Sequence, residues 1–186
     1  YIVGADGHDI WIYDLAYPSS PLLVGTWDLQ GNQTSTSGYC HDIEVYNNKI
    51  YCASIYVGYF YIIDVSDKSN PYTLATYNTG GGEISTHDCA VTFDEQYLIT
   101  GDESLGGHVK IWDISDYNNI NLVNEYYTPG WETHSAHNLY IQENNPNMLI
   151  VSHYADGTRF LDISDPENPI EVGYYDTSEI EGLYVG

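Results

Sequence analysis

The sequence predicts an all-β chain folded as a β-propeller, or as an arc of one, from about four repeats of roughly 50 residues. Three observations carry this expectation. A unit of apolar strand, Asp, polar turn and second apolar strand recurs four times, its Asp falling at positions 14, 64, 113 and 162. Strand-length apolar runs bounded by Gly, Asn, Asp, Ser and Pro fill most of the remaining sequence. No stretch carries the 3.6-residue apolar period of an amphipathic helix.

The Asp-bearing segments read IWIYDLAYPSSPLLVGTW around Asp14, FYIIDVSDKSNPYTLATY around Asp64, VKIWDISDYNNINLVNEYY around Asp113 and TRFLDISDPENPIEVGYY around Asp162. Each gives two strands joined by a turn in which Asp, Ser, Asn and Pro hold the backbone. One further strand precedes each, over residues 1–5, 49–55, 97–101 and 148–152. Ahead of three of those lie segments opened by histidine: CHDIEV with His41, THDCAV with His87 and AHNLYI with His137. The unit is thus four short antiparallel strands. It divides a single domain or segment, 1–186, into a partial unit over 1–38 and units over 39–84, 85–133 and 134–180. Units of this kind form propeller blades that bury their faces against one another, whereas the coils of a β-solenoid are usually shorter. The chain opens at the second strand of a blade and ends in GLYVG, residues 182–186. A first strand there would close a four-blade ring, and otherwise the span is an arc of a larger one.

With 186 residues the chain can bury one sizeable core. Its 20 Tyr and 4 Trp beside a single Met suit pleated surfaces better than helices. Four Lys plus Arg against 27 Asp plus Glu give a net charge of -23, which repels phosphate backbones and anionic headgroups and argues against nucleic acid as a partner. No apolar run approaches the roughly 20 residues of a membrane-spanning helix, so direct membrane insertion is not expected. Screening of this charge by divalent cations or salt favours an extracellular setting. Cys40, Cys52 and Cys89 match no zinc spacing. A two-residue turn at Asn47-Asn48 would set Cys52 opposite Ile43, out of register with Cys40 for a disulfide. The sequon Asn32-Gln33-Thr34 makes Asn32 a glycosylation candidate in a secretory pathway.

The segments IIDVSDKSNP and FLDISDPENP, each followed by an apolar strand, resemble the LVIVD repeat. The ordered set CHDI, THDC and AHNLYI, with IWDISD between the last two and EVGYYDTS after them, resembles the LVIVD-containing domain of the choice-of-anchor B family. Those are secreted or surface proteins whose β-propeller is followed by varying C-terminal anchors. The resemblance implies an extracellular or cell-surface protein. It also implies further blade sequence on both sides, including an earlier histidine strand, and so an arc rather than a four-blade ring. It brings no established activity. One departure is visible: DLAYPSSP, residues 14–21, lacks the second Asp of the DxSD turn.

The start of an inner propeller strand lies near a mouth of the central channel, so His41, His87 and His137 are expected to ring the axis. Convergent imidazoles suit zinc or iron, with Asp42, Asp88 and Asn138 orienting them from a second shell. The competing expectation is that each imidazole clamps the backbones of adjacent blades by hydrogen bonds. His134 falls outside the repeat register and reads as a loop residue. The DxSD turns at 64–67, 113–116 and 162–165 offer oxygens suited to calcium, although Asp and Ser also close such turns by bonding their own backbone. Trp11 and Trp112, taken as one repeat position, read as core, leaving Trp131 as the exposed aromatic for stacking on a sugar. No Gly-x-Ser-x-Gly elbow, phosphate loop or His-Glu-x-x-His occurs, and TGGGE at 79–83 lacks the strand-to-helix setting of a phosphate loop. No catalytic residue is assigned. Two functions follow: a non-enzymatic extracellular binding or assembly module with a protein or glycan partner or self-assembly, and a metalloenzyme with a histidine-ringed iron or zinc on the axis.

Overall fold

The computed structural model describes residues 2–6, 9–29, 39–80 and 85–176. The sequon at Asn32 and the tail at 182–186 lie outside them. The strands form four antiparallel sheets, each in chain order. Blade 1 holds β1 (Ile2–Asp6), β2 (Asp9–Asp14) and β3 (Leu22–Asp28). Blade 2 holds β4 (Tyr39–Tyr46), β5 (Lys49–Ile55), β6 (Tyr59–Asp64) and β7 (Tyr72–Asn78). Blade 3 holds β8 (Thr86–Val91), β9 (Tyr97–Asp102), β10 (Val109–Asp113) and β11 (Asn121–Tyr126). Blade 4 holds β12 (Leu139–Ile141), β13 (Met148–Ser152), β14 (Thr158–Asp162) and β15 (Ile170–Tyr175). Among the described residues there is no α-helix, only a 3-10 turn at Tyr154–Asp156.

Asp14, Asp64, Asp113 and Asp162 each end the strand before the outermost one. Each accepts a hydrogen bond at Oδ1 from the backbone N–H two residues on, Ala16, Ser66, Ser115 and Ser164, at 2.8 to 2.9 Å. The second aspartates do the same for Ser69, Asn118 and Glu167. These carboxylates therefore serve their own turns. Blade 1 keeps the turn without its second Asp, because Ser20 N–H still bonds the Tyr17 carbonyl at 2.8 Å.

Blades stack through apolar seams. Ile10, Ile12, Trp27 and Leu29 of blade 1 meet Ile50, Cys52, Tyr61 and Ile63 of blade 2. The other face of blade 2, through Tyr51, Ala53, Phe60 and Ile62, meets Val91, Leu98 and Trp112 of blade 3. Blade 3 in turn meets Leu139, Leu149, Val151 and Leu161 of blade 4. Because β5 and β6 are covered on both faces, they read as continuous apolar runs rather than alternating ones. The approach is close enough that a Cβ on Gly25 of β3 would sit 1.8 Å from the carbonyl oxygen of Lys68 in the blade 2 turn. Every outermost strand bulges at one equivalent point, opposite Ile12/Tyr13, Ile62/Ile63, Ile111/Trp112 and Phe160/Leu161. Such bulges twist an edge away from pairing with other chains.

A buried polar knot crosses the seam of blades 2 and 3. Lys110 Nζ lies 2.7 Å from Asp102 Oδ2 and donates to the Thr79 carbonyl at 3.1 Å. Thr86 donates to Asp102 Oδ1 and shares a hydrogen bond with Thr79.

Two tryptophan expectations are corrected. Trp11 stands three residues before its repeat Asp and Trp112 one before, so they are not one position. Trp11 is 37% exposed on the far face of blade 1, while Trp112 is buried between blades 2 and 3. Trp131 is half-buried, packed on Tyr127 at 4.8 Å and facing His108 at 6.4 Å. The turn at Asn47-Asn48 has positive φ at both residues (46° and 61°), and Cys52 pairs with Ile43 as the hairpin requires. All three cysteines are buried and free.

Candidate functional site at the axial mouth

The inner strands β4, β8 and β12 lie side by side, and a shared irregularity sets their first residues. In β4, Cys40 pairs with Ser54 and Asp42 with Ala53, leaving His41 as the extra residue of a bulge. In β8, Thr86 pairs with Asp102 and Asp88 with Gly101, which makes His87 the extra residue. Before β12, Ser152 accepts from His137 N–H and donates to the Asn138 carbonyl, again two residues against one. A bulge re-aims side chains locally. Here it brings three imidazoles into one column: the His41 and His87 rings are 4.3 Å apart and the His87 and His137 rings 4.0 Å.

Two residues that sequence reasoning missed complete the cluster. Glu103 follows β9, its backbone N–H fixed on the Ser85 carbonyl at 2.7 Å. Glu103 Oε2 lies 3.6 Å from His87 Nε2, and Oε1 lies 3.9 Å from His137 Nε2. Tyr154 donates its hydroxyl to Glu103 Oε1 and sets its ring edge-on to His137 at 5.0 Å. Tyr154 holds a left-handed backbone, φ 37°, a conformation that a bulky residue keeps only where its surroundings impose it. His41, His87 and Glu103 can each present one ligand atom, all within 4.8 Å of one another. His137 is outside that triple but borders it.

His87 is buried, and burial first, then the neighbouring His137 and His41, lowers its pKa to about 4, so the ring is neutral at pH 7. Its Nδ1 is buried without a hydrogen-bond partner. His87 therefore does not clamp adjacent blades through Nδ1. Carboxylates do clamp them. Asp88 Oδ2 accepts the Leu139 N–H of blade 4 at 2.6 Å, and Glu44 Oε2 accepts the Val91 N–H of blade 3 at 2.5 Å. Asn138 donates weakly to both Asp42 and Asp88, tying the acids together rather than orienting the rings. The other oxygen of Asp88, Oδ1, accepts the Cys89 N–H of its own strand at 2.7 Å.

His134 and His153 lie apart from this column. Both flank Asp156, His134 Nδ1 at 3.0 Å and His153 Nδ1 at 3.3 Å from Oδ2. Arg159 and Thr128 bind the same residue. His153, expected on the second strand, follows β13 and caps the 3-10 turn.

Burial raises the Glu44 pKa to about 7, against the lowering effect of Val91. The unfolded chain then gives up this proton near pH 4.5 while the folded chain keeps it to about 7, so stability falls as pH rises across that window. Glu44→Gln keeps an acceptor for Val91 and does not titrate. Its stability advantage over wild type is expected to grow by about 1–3 kcal/mol from pH 5 to pH 8 in urea titrations. An advantage independent of pH would contradict the buried, protonated Glu44.

The LVIVD repeat family matches residues 37–79 and 159–177, which cover blade 2 and the end of blade 4. No curated protein matches the sequence. Solved structures match the fold. The Pseudomonas aeruginosa periplasmic gluconolactonase PpgL aligns over 94% of this chain and 53% of its own, at 10% identity and a TM-score of 0.70. A Lactobacillus plantarum protein aligns over 94% and 54%, at 12% identity and a TM-score of 0.75. Sqt1 of Chaetomium thermophilum aligns over 90% and 41%, at 14% identity and a TM-score of 0.63. The fold is that of a β-propeller. At these identities the likeness concerns fold alone, and the chain spans about half the length of the first two.

Proposed function

We propose that this LVIVD-repeat propeller is a non-enzymatic binding module of the cell surface or extracellular space, with its ligand seat at the axial mouth. One observation carries the reading: His41, His87 and His137 stack into a column there, joined by Glu103 and Tyr154. The seat is rich in hydrogen-bonding groups, and the Glu103 carboxylate lies beside two of its rings. That chemistry rejects anions and suits a hydroxyl-rich glycan or a basic segment of a partner protein. The extracellular location and the choice-of-anchor B likeness draw support from the ordered histidine and DxSD motifs and from the net charge of -23.

A second reading, a metalloenzyme with iron or zinc on the axis, is favoured by the convergence of two imidazoles and a carboxylate. The name of the gluconolactonase neighbour adds lactones to the substrates worth assaying.

Glycan and peptide arrays probed with the protein test the first reading, with His137→Ala and Tyr154→Ala as controls. A ligand bound by wild type and lost at least 10-fold in both variants is the expected result. Binding indifferent to both substitutions contradicts a seat at the mouth, and turnover of a lactone with no array ligand favours the enzyme.

A further inference from the structure

We infer that the mouth holds a divalent transition-metal ion on His41, His87 and Glu103. The inference deepens the reading of the mouth as the ligand seat and rests on it. Two imidazole nitrogens and one carboxylate oxygen form a donor set that zinc and iron accept, whereas calcium and magnesium prefer oxygen alone. A tetrahedral shell at about 2.0–2.1 Å sets its ligand atoms roughly 3.4 Å apart. The three donors lie within 4.8 Å of one another, so small side-chain rotations close the shell.

An independent observation points the same way. His87, with its side chain only 5% exposed, leaves Nδ1 buried and without a hydrogen bond, while its Nε2 stands 3.6 Å from Glu103 Oε2 and makes none there. Buried polar atoms left in this state are costly, and a bound cation offers a partner to one of the two ring nitrogens.

The two oxygens of Glu103 have separate tasks. Tyr154 holds Oε1, which leaves Oε2 on the side of His87. Tyr154 is therefore a positioning residue for the metal ligand, and its imposed left-handed backbone keeps it at the mouth. Three protein ligands leave a coordination position open, the arrangement of sites that exchange ligands rather than of closed structural ones. His137 lies beside the three ligands, its ring 4.0 Å from that of His87. A glycan hydroxyl or a partner side chain would complete the shell at the open position.

Zinc chloride titrated calorimetrically into chelator-stripped protein tests the inference, with circular dichroism confirming the fold of each variant. One zinc per chain is expected, with affinity reduced about 100-fold or more by His87→Gln and about 10-fold or more by Glu103→Gln. Tyr154→Phe, which keeps the ring, is expected to lose about 10- to 100-fold, the range for partners that orient a ligand. Millimolar calcium should not displace the zinc. No stoichiometric uptake, or uptake indifferent to His87→Gln and Glu103→Gln, overturns the inference. Absence of zinc with an array ligand still lost in Tyr154→Ala overturns the metal and leaves the binding seat intact. Zinc uptake with no array ligand supports the metal and counts against the binding module alone.

Discussion

Replacing Lys110 by Met is expected to destabilise the protein by about 3–5 kcal/mol, the cost of stranding one member of a buried ion pair. Lys110 and Asp102 have side chains 5% and 2% exposed, at 2.7 Å, so the surviving carboxyl group would be left buried without its cation. The lost bond to Thr79 also unties the end of blade 2 from blade 3. The size of the loss reflects the orphaned carboxyl group more than the worth of the pair. The double variant Lys110→Met with Asp102→Asn should therefore recover at least half of it, because Asn keeps an acceptor for Thr86 and carries no charge. Urea denaturation of the two singles and the double completes the cycle. A single substitution costing under about 1 kcal/mol would mean that water reaches Asp102.

Trp112→Ala is expected to cost about 3–5 kcal/mol, by transfer of a large side chain and the cavity left behind. Its ring is 3% exposed and meets Phe60 edge-on at 5.9 Å and Tyr77 at 5.1 Å, both from blade 2. Its Nε1 donates to Thr100 Oγ1 at 2.9 Å. Trp112→Phe keeps most of the apolar contact and loses that bond, so it should cost well under half as much. A cost as large for Phe as for Ala would shift the explanation from packing to the hydrogen bond.

Much of this architecture was legible because repetition writes it four times. Each repeat Asp bonds the N–H two residues later, so turn chemistry fixes the residue type and the period exposes it. The histidines were legible for the same reason, since each opens an inner strand. Their orientation was less so. A bulge adds one residue without changing the apolar pattern around it, and the clue was only that His and Asp or Asn stand adjacent where a strand should alternate.

Glu103 and Tyr154 carried no periodic signal. One follows β9 in a loop and the other sits in a 3-10 turn, and they meet only because successive blades bring those segments to one mouth. At His87-Asp88 it is the carboxylate that reaches the next strand, while the imidazole faces the column. Trp11 and Trp112 share a residue type but stand two positions apart in the Asp register, so type alone does not make them equivalent.

The most direct test of the axial site is anomalous diffraction at the zinc edge from crystals of the protein grown with zinc. One peak is expected between His41, His87 and Glu103, with Tyr154 still on the far oxygen of Glu103 and ligand distances of about 2.0–2.2 Å. A peak confined to Asp156 or the DxSD turns, with the mouth empty, would contradict the account.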